Sequence, residues 1–223
     1  MDIALFDLDH TLIPFDSGGA FADHLAALGL LPEGFEAQYH DYCRRYASGT
    51  VDMIAMHRFT VGSVAAHGPQ ALAQQLRDFE EAVADRVPAA AQALVREHLD
   101  AGRLCALVTA TTHFIAEPFG RMLGLREVIA TQPEQDEHGH YTGEVAGDPC
   151  FREHKVAHVQ AWLATHGLGW NDVTRSWFYS DSINDLPLLQ AVTDPVAVDP
   201  DPALLAHAKA KGWPVLRLAA LPP

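Results

Sequence analysis

Residues 6–12 of the chain read Phe6-Asp7-Leu8-Asp9-His10-Thr11-Leu12. They continue an apolar run that begins at Ile3, and such a run predicts a buried parallel strand over residues 3–8 with acids at its carboxyl end. Two carboxylates this close together need cationic partners, and a divalent metal ion suits them. A lone aspartate at this place would be explained as the cap of the next turn, so the rest of the chain decides.

A second acidic stretch reads Ser180-Asp181-Ser182-Ile183-Asn184-Asp185. It directly follows residues 176–179, whose apolar character predicts another strand. Magnesium takes a few oxygen ligands from a protein while it keeps waters and a substrate phosphate, so Asp7, Asp181 and a backbone carbonyl are the predicted ligands. Asp185 could also cap a short helix. Acids at two strand ends are more than turn capping explains.

Two further features lie between the acidic stretches. Residues 108–112 read Val-Thr-Ala-Thr-Thr at the end of another predicted strand, where hydroxyls and the amides that open a helix would cradle a phosphate. Lys155 stands at the start of an apolar helix and could neutralise phosphoryl oxygens. Each signal alone is weak, because threonines in such turns are usually caps and lone lysines are usually solvated. Their order between the acids gives them meaning.

The alternation of strands and helices predicts an α/β fold with a doubly wound, Rossmann-like parallel sheet. Strands are expected at residues 3–8, 104–109, 128–131, 176–179, 196–198 and 215–218, helices near residues 113–123, 154–166 and 202–211, and a small hairpin at the sheet edge over residues 139–145. Residues 1–15 and 87–223 would form this core. Residues 16–86 read as four helices inserted after the first strand, where they could act as a lid over the binding crevice.

The composition narrows the possible partners. The 223-residue chain is 48% hydrophobic and 20% charged, as in a globular protein, and its net charge of −14 repels nucleic acids and anionic membranes. The start lacks the basic region of a signal peptide, and no stretch approaches the roughly 20 apolar residues of a membrane span. Three cysteines without a CxxC pair indicate no disulfide framework. A cytoplasmic protein is expected.

Taken in order, the motifs resemble those of the haloacid dehalogenase superfamily of phosphatases. They are Asp7-x-Asp9-x-Thr11, Thr109 after the second strand, Lys155, and Asp181-Ser182-x-Asn184-Asp185. The helical insertion looks like the superfamily's first-position cap, and residues 142–144 and 179–189 point to the phosphoserine phosphatase-like branch. The enzymes of that branch usually have Ser-Gly-Gly at residues 109–111 and glycine at residue 180. These departures weaken a phosphoserine assignment more than they affect the phosphate site.

The resemblance implies a magnesium-dependent phosphatase that forms an aspartyl-phosphate. Asp7 would attack phosphorus and bind magnesium together with Asp181. Asp9 would protonate the leaving alcohol and then activate the hydrolytic water, while its backbone carbonyl would bind the metal. Thr11 would orient Asp9.

The resemblance also implies a phosphate-binding set. Thr109 and neighbouring amides, including that of Ala110, would hold phosphoryl oxygens, and Lys155 would offset their charge. Asp185 would hold an outer-sphere water and orient Lys155, and Asn184 would position the phosphate or Lys155.

The substrate is predicted to be a small phosphorylated metabolite that is selected by the inserted helices. Arg44, Arg45, His57 and Arg58 are the polar candidates there, because arginine can fork onto a carboxylate or a second phosphate. Asp16 is a poor substitute for the acid that grips the amino group in phosphoserine enzymes. Histidinol phosphate, a phosphoamine, a phospholipid head group and phosphoserine all remain open.

Other interpretations compete with this one. A zinc site could form where His138, His140, Cys150, His154 and His158 cluster in the sequence, although with 13 histidines such neighbours arise by chance. A phosphomutase would use the same aspartyl-phosphate chemistry, and a receiver-like signalling domain would keep the phosphate on the aspartate. Dehalogenase chemistry needs neither the metal nor Asp9. No feature of the sequence indicates an oligomeric state.

Overall fold

A parallel sheet forms the centre of the computed structural model, which describes residues 1–218. The strands are β1 (Asp2–Phe6), β2 (Leu104–Thr112), β3 (Glu127–Thr131), β4 (Pro133–Gln135), β5 (Tyr141–Val145), β6 (Arg175–Ser180), β7 (Asp194–Val198) and β8 (Val215–Leu216). Six of them form one sheet in the order β3-β2-β1-β6-β7-β8, and β4 pairs with β5 in a separate sheet. Residues 219–223, the end of the predicted core segment, lie outside the described residues.

The strand order reverses beside β1. This strand pairs in parallel with β2 on one side and with β6 on the other, and the chain runs outward from β1 in both directions. Such a reversal opens a crevice beyond the carboxyl ends of the strands, and ligands bind there in open α/β sheets. The topology confirms the predicted doubly wound fold and brings the residues after β1 and β6 to one crevice.

Nine α-helices surround the sheet in the described part of the chain. They are α1 (Ser17–Ala27), α2 (Phe35–Ala47), α3 (Met53–Ala65), α4 (Pro69–Val83), α5 (Ala89–Asp100), α6 (His113–Leu123), α7 (Glu153–Thr165), α8 (Leu186–Ala191) and α9 (Pro202–Lys211). Aspartate side chains cap the first amides of α1, α3 and α9. None of the helices within residues 1–218 has the length and apolar character that crossing a membrane requires.

The side chains of β1 alternate between two hydrophobic clusters, one on each face of the sheet. Ala4 and Phe6 belong to the cluster that includes residues of α1, α4, α5 and α6, whereas Ile3 and Leu5 belong to the cluster formed with α7, α8 and α9. All four side chains are completely buried. A strand covered on both faces reads as a continuous apolar run, which is the pattern seen in the sequence.

The inserted helices α1 and α4 pack on α6 through aromatic rings. The Phe79 ring centroid lies 5.2 Å from that of Phe21 and 5.9 Å from that of Phe119, and Phe21 lies 6.0 Å from Phe114. The edge-to-face geometry of these pairs suits the quadrupoles of the rings. One hydrophobic cluster thus continues from the insertion into the core.

The structure corrects two expectations about local structure. Strand β2 continues to Thr112, three residues beyond the predicted end, because Thr109, Thr111 and Thr112 are β-branched and favour extended backbone. A hairpin forms from β4 and β5, but only β5 lies within the predicted residues 139–145, and the pair is separate from the main sheet. It lies against α3, where Arg58 forms an ion pair with Glu144 at 2.6 Å.

Phe79 provides a test of this packing. Its side chain is fully buried between the insertion and the core, so Phe79→Ala should lower the free energy of unfolding by about 3–5 kcal/mol. Leu28→Ala is the matched control, because Leu28 is 52% exposed and its truncation should cost less than about 0.5 kcal/mol. Urea denaturation followed by circular dichroism measures both variants. Equal losses in the two would contradict the packing described.

Candidate active site

The carboxyl ends of β1 and β6 open into a cavity of about 560 Å³. Asp7 and Asp9 follow β1, Asp181 follows β6, and all three line the cavity together with Thr109 in the second half of β2. Residues from α2 and α3 also line the cavity. The fold therefore brings residues from three distant segments of the chain to one site.

Lys155 is the buried cation of this site. Its side chain is 1% exposed, and Nζ donates hydrogen bonds to Asp7 Oδ1 at 2.8 Å and to Asp185 Oδ2 at 2.7 Å. Ser180 Oγ donates to the same Asp185 oxygen at 2.8 Å. Burial alone would lower the pKa of Lys155, but Asp185 and Asp7 hold that pKa well above its ordinary value. The lysine is therefore charged and fixed beside Asp7.

Thr11 bridges the two acidic loops. The resemblance implies that Thr11 orients Asp9, but the structure shows no contact between these two residues. Its hydroxyl lies 2.9 Å from Asp181 Oδ1 and 3.3 Å from Asp7 Oδ2, and it accepts a hydrogen bond from the Asp181 amide at 2.9 Å. The turn after β1 explains this direction, because Leu8 O accepts hydrogen bonds from the amides of residues 11–13 and folds the chain back. Thr11 therefore holds Asp7 and Asp181 close together.

Asp7 and Asp181 carry more negative charge than their neighbours offset. Burial, together with Asp185, raises the pKa of Asp7 to about 7 although Lys155 acts in the opposite direction. Burial and the neighbouring Asp7 raise the pKa of Asp181 to about 8. Two facing carboxylates with uncompensated negative charge fit a divalent cation, since a hard cation commonly takes one or two carboxylates from the protein. The Asp9 carbonyl is the third predicted ligand.

Asp9 is held by two groups that the sequence did not single out for this role. Its Oδ1 accepts from the Ser17 amide at 2.6 Å, and its Oδ2 accepts from the Thr111 hydroxyl at 2.5 Å. Burial and the nearby Asp16 raise the pKa of Asp9 to about 6, although both hydrogen bonds oppose this. A carboxyl group with a pKa near neutrality can both give and accept a proton.

The predicted phosphate cradle has a different backbone from the one expected. Thr109 is buried, and its hydroxyl accepts a hydrogen bond from the Thr111 amide at 3.1 Å. Helix α6 begins only at His113, so the amides of residues 109–112 belong to an extended segment and do not open a helix. Ala110 lines the cavity, and its carbonyl accepts from Thr131 Oγ1 at 2.9 Å.

His57 is the one predicted substrate residue that lines the cavity. It is buried on α3, and its Nδ1 lies 2.9 Å from Thr112 Oγ1 at the end of β2. Burial lowers the pKa of His57 to about 4, so the ring is neutral near pH 7.

The structure places the three predicted arginines away from the cavity wall. Arg44 and Arg45 both pair with Asp41, at 2.9 and 2.7 Å, and Arg58 pairs with Glu144 at 2.6 Å. Each arginine side chain is more than half exposed. They lie on the solvent faces of α2 and α3, as most arginines of amphipathic helices do.

Asn184 also lies in the cavity wall, where it contacts Arg152 and not Lys155, which is one of the two partners that the resemblance implies. Its Oδ1 accepts hydrogen bonds from Nε and Nη2 of Arg152, both at 3.2 Å. Asp185, by contrast, contacts Lys155 directly as expected from the resemblance. Arg152 carried no signal in the sequence, because nothing in its immediate neighbours indicates where its side chain would reach.

The histidine-rich cluster does not come together as a metal site. Within residues 1–218, no three His, Cys, Asp or Glu side chains are arranged to hold a metal ion as a cluster. His158 Nε2 lies 2.9 Å from the Asp148 carbonyl, and His154 lies 3.5 Å from the Asp148 carboxylate. Cys150 is buried, and burial raises the pKa of its thiol to about 12, which disfavours the thiolate that zinc requires.

Comparisons with known proteins identify the family of the chain. A model of the family described as haloacid dehalogenase-like hydrolase matches residues 4–190. The chain therefore belongs to the haloacid dehalogenase-like hydrolases. The matched segment includes every acidic motif of the cavity and the inserted helices between them.

The individual relatives narrow the class further. Histidinol-phosphatase of Neisseria meningitidis serogroup C (strain 8013) is 38% identical over 217 residues, which cover 96% of this chain and 98% of that protein. The crystal structure of a protein with unknown function from Bordetella pertussis Tohama I is 45% identical, has a TM-score of 0.90, and aligns over 97% of this chain and 98% of the other. A substrate-bound phosphoserine phosphatase, 17% identical, shares the fold with a TM-score of 0.66 over 96% of this chain and 92% of that one. The chain is a phosphatase of the phosphoserine phosphatase-like branch.

Removing the buried cation tests the electrostatics of the site. Lys155→Met leaves the carboxylates of Asp7 and Asp185 without their buried partner, so the free energy of unfolding at pH 8 should fall by about 3–5 kcal/mol. Loss of the lysine raises the pKa of Asp7 further. A carboxyl group whose pKa is raised in the folded state destabilises that state as the pH rises toward the raised pKa. The loss of unfolding free energy in Lys155→Met should therefore shrink as the pH falls toward 5.

Arg175→Met is the matched control for Lys155→Met. Arg175 pairs with Asp194 at the solvent-exposed start of β6, and loss of that pair should cost less than about 1 kcal/mol. Guanidinium denaturation of both variants at pH 5 and pH 8 provides the four values. A Lys155→Met deficit that does not change with pH would contradict the assigned charges.

Proposed function

We propose that this phosphatase hydrolyses a small phosphate monoester whose leaving alcohol carries a protonated amine, with transfer of the phosphoryl group to Asp7. The observation that carries the proposal is the charge of the cavity. Its wall includes the carboxylates of Asp7, Asp9, Asp16, Asp181 and Asp201, and none of the described side chains that line it is a lysine or an arginine. Such a wall favours a cationic leaving group over an anionic one.

The first step of the proposed reaction forms a bond between an Asp7 carboxylate oxygen and phosphorus, while the bond from phosphorus to the leaving alcohol oxygen breaks. Asp7 is suited to this attack, because Lys155 and Thr11 contact its two oxygens and hold the carboxylate in one orientation. The charge of Lys155 also offsets the repulsion between the carboxylate and the phosphate.

Asp9 is the proposed general acid and base. In the first step it gives its proton to the alcohol oxygen, and in the second it takes a proton from the water that attacks phosphorus and releases Asp7. Its raised pKa of about 6 suits both transfers near neutral pH. The contacts from Ser17 and Thr111 fix the side chain for both steps.

Magnesium is the proposed cofactor. Asp7, Asp181 and the Asp9 carbonyl would hold it, and when bound it supplies positive charge that offsets the charge on the phosphoryl oxygens. The raised pKa values of Asp7 and Asp181 support this assignment, because they mark a site that needs a further cation.

We propose that residues 16–86, which contain the inserted helices, form a cap domain. This cap supplies the wall around the leaving group. Asp16 Oδ1 accepts a hydrogen bond from the Tyr39 hydroxyl at 2.6 Å. No donor within residues 1–218 contacts Asp16 Oδ2, so this oxygen is available to an ammonium group. Tyr39, Tyr46 and Met56 supply apolar surface beside it. A phosphoserine carboxylate would meet no described cation here. Histidinol phosphate is therefore the first candidate, and the named Neisseria relative supports it.

The nucleophile can be tested with p-nitrophenyl phosphate as a generic ester. Asp7→Asn should lower kcat by more than about 10⁴-fold, because an amide oxygen does not form the phosphoryl ester. Chelation of divalent ions should abolish the activity of the wild type, and added magnesium should restore it. Asp194→Asn, far from the cavity, is the control that should keep kcat. Release of inorganic phosphate measures hydrolysis and separates it from transfer to a second alcohol.

The leaving-group preference can be tested with three esters. We expect kcat/KM for histidinol phosphate to exceed that for phosphoserine by about 10–100-fold, because both esters carry an ammonium group but only phosphoserine brings a carboxylate against the acidic wall. Asp16→Asn keeps an N-cap for α1 but removes the charge that pairs with the ammonium group, so kcat/KM for histidinol phosphate should fall by about 10–100-fold. Activity toward p-nitrophenyl phosphate, which has no amine, should change by less than about 3-fold. Equal use of phosphoserine and histidinol phosphate by the wild type would contradict the proposed specificity.

A further inference from the structure

Arg152, at the start of α7, has a backbone conformation that glycine favours. Its φ is 51° and its ψ is −127°, a region in which the β carbon of an L-residue is strained. Such a residue costs of the order of 1–3 kcal/mol and persists where other contacts hold it in place. The contacts of the Arg152 side chain therefore have to offset this strain.

The guanidinium of Arg152 joins two parts of the active-site wall. Nε and Nη2 donate to Asn184 Oδ1, both at 3.2 Å, and Nη2 also donates to the Gly49 carbonyl at 2.9 Å. Asn184 belongs to the loop after β6, whereas Gly49 belongs to the inserted segment between α2 and α3. Among the described residues, Arg152 forms no ion pair with a carboxylate. Its contribution is thus the direction of its donors more than its charge.

The contact with Arg152 determines which end of the Asn184 amide faces the cavity. Because Oδ1 accepts from the guanidinium, the NH₂ group is the end left for a ligand. In the part of the chain that the structure describes, no acceptor takes a hydrogen bond from Nδ2 of Asn184. Asn184 lines the cavity three residues after Asp181, so this donor is available to a phosphoryl oxygen.

The contact with Gly49 holds the inserted segment against the same site. Tyr46 lies in the last turn of α2, just before Gly49, and its ring lies 5.4 Å from that of Phe151, the neighbour of Arg152. Tyr46 lines the cavity. Phe151 also packs with Met53 and Ala110 in one small hydrophobic cluster. Residues 151 and 152 together therefore hold the end of α2 against the active-site loops.

We propose that Arg152 is a positioning residue for phosphoryl transfer: it aims the Asn184 amide at the phosphate and fixes the α2–α3 segment across the cavity. The inference rests on the proposed function, since it assigns a role within that reaction. It accounts for the strained backbone, because the conformation that strains residue 152 is the one that brings its side chain to Asn184 and Gly49 at once.

Arg152→Gly separates this role from a structural one. Glycine relieves the strain, so the melting temperature should stay the same or rise, while kcat/KM for p-nitrophenyl phosphate should fall by about 10–100-fold. The inhibition constant of orthovanadate, a phosphate mimic, should weaken by a similar factor. Arg152→Lys keeps a charge without the fork and should recover only a small part of the activity. Arg175→Ala, which removes an arginine at the opposite end of β6, should change neither quantity.

A double-mutant cycle with Asn184→Ala tests the connection directly. If Arg152 acts through Asn184, then adding Arg152→Gly to Asn184→Ala should lower kcat/KM much less than Arg152→Gly does in the wild type. Independent, multiplying losses would overturn the inference. So would an Arg152→Gly variant that keeps wild-type kcat/KM, or one whose lost activity merely follows a lower melting temperature. A wild type that neither hydrolyses the ester nor binds vanadate would instead contradict the proposed function and the inference with it.

Discussion

The buried contact of Lys155 with Asp7 and Asp185 is the interaction on which the site depends. An ammonium group with 1% exposure is tolerated only beside acids, and these acids are tolerated only beside the ammonium group. The three residues come from α7, the end of β1 and the loop after β6. The site therefore forms only when all three elements have packed in their native positions. Replacing the charges with apolar groups could give an equally stable core, so the chemistry of the site, more than stability, explains why charges are present here.

The fold and the motifs could be predicted from the sequence because the relevant signals are local. A strand buried on both faces is a continuous apolar run, and Asp7 and Asp181 each directly follow such a run. The partner of a side chain is not local information. Thr11 contacts Asp181 and not Asp9, because the turn after β1 directs its hydroxyl across the crevice. Asp9 is held in part by the backbone amide of Ser17, and a backbone contact leaves no trace in residue type.

The substrate wall was the hardest part to predict, for a related reason. An amphipathic pattern shows that α2 and α3 each have an apolar face, but it does not show which polar residues border that face toward the cavity. Arg44 and Arg58 lie on the solvent side with acidic partners, while His57 on α3 is buried beside Thr112. Tyr39 and Tyr46 both line the cavity, although their spacing of seven residues on α2 is also that of ordinary helix-packing residues. The strained backbone of Arg152 likewise depends on contacts far along the chain.

The acidic wall of the cavity has a consequence for the mixture of metabolites that the protein meets. Most phosphorylated metabolites carry further anionic groups, and these groups would be brought against Asp16 and Asp201 with no described cation to receive them. Under the proposed function, selection then works largely by rejection, since repulsion excludes competitors without a closely fitted pocket for the correct ester. A filter of this kind is tolerant among cationic esters of similar size, so we expect the protein to accept a group of amino-alcohol phosphates. We also expect it to remain free of inhibition by nucleotides and by metabolites that carry a second phosphate or a carboxylate.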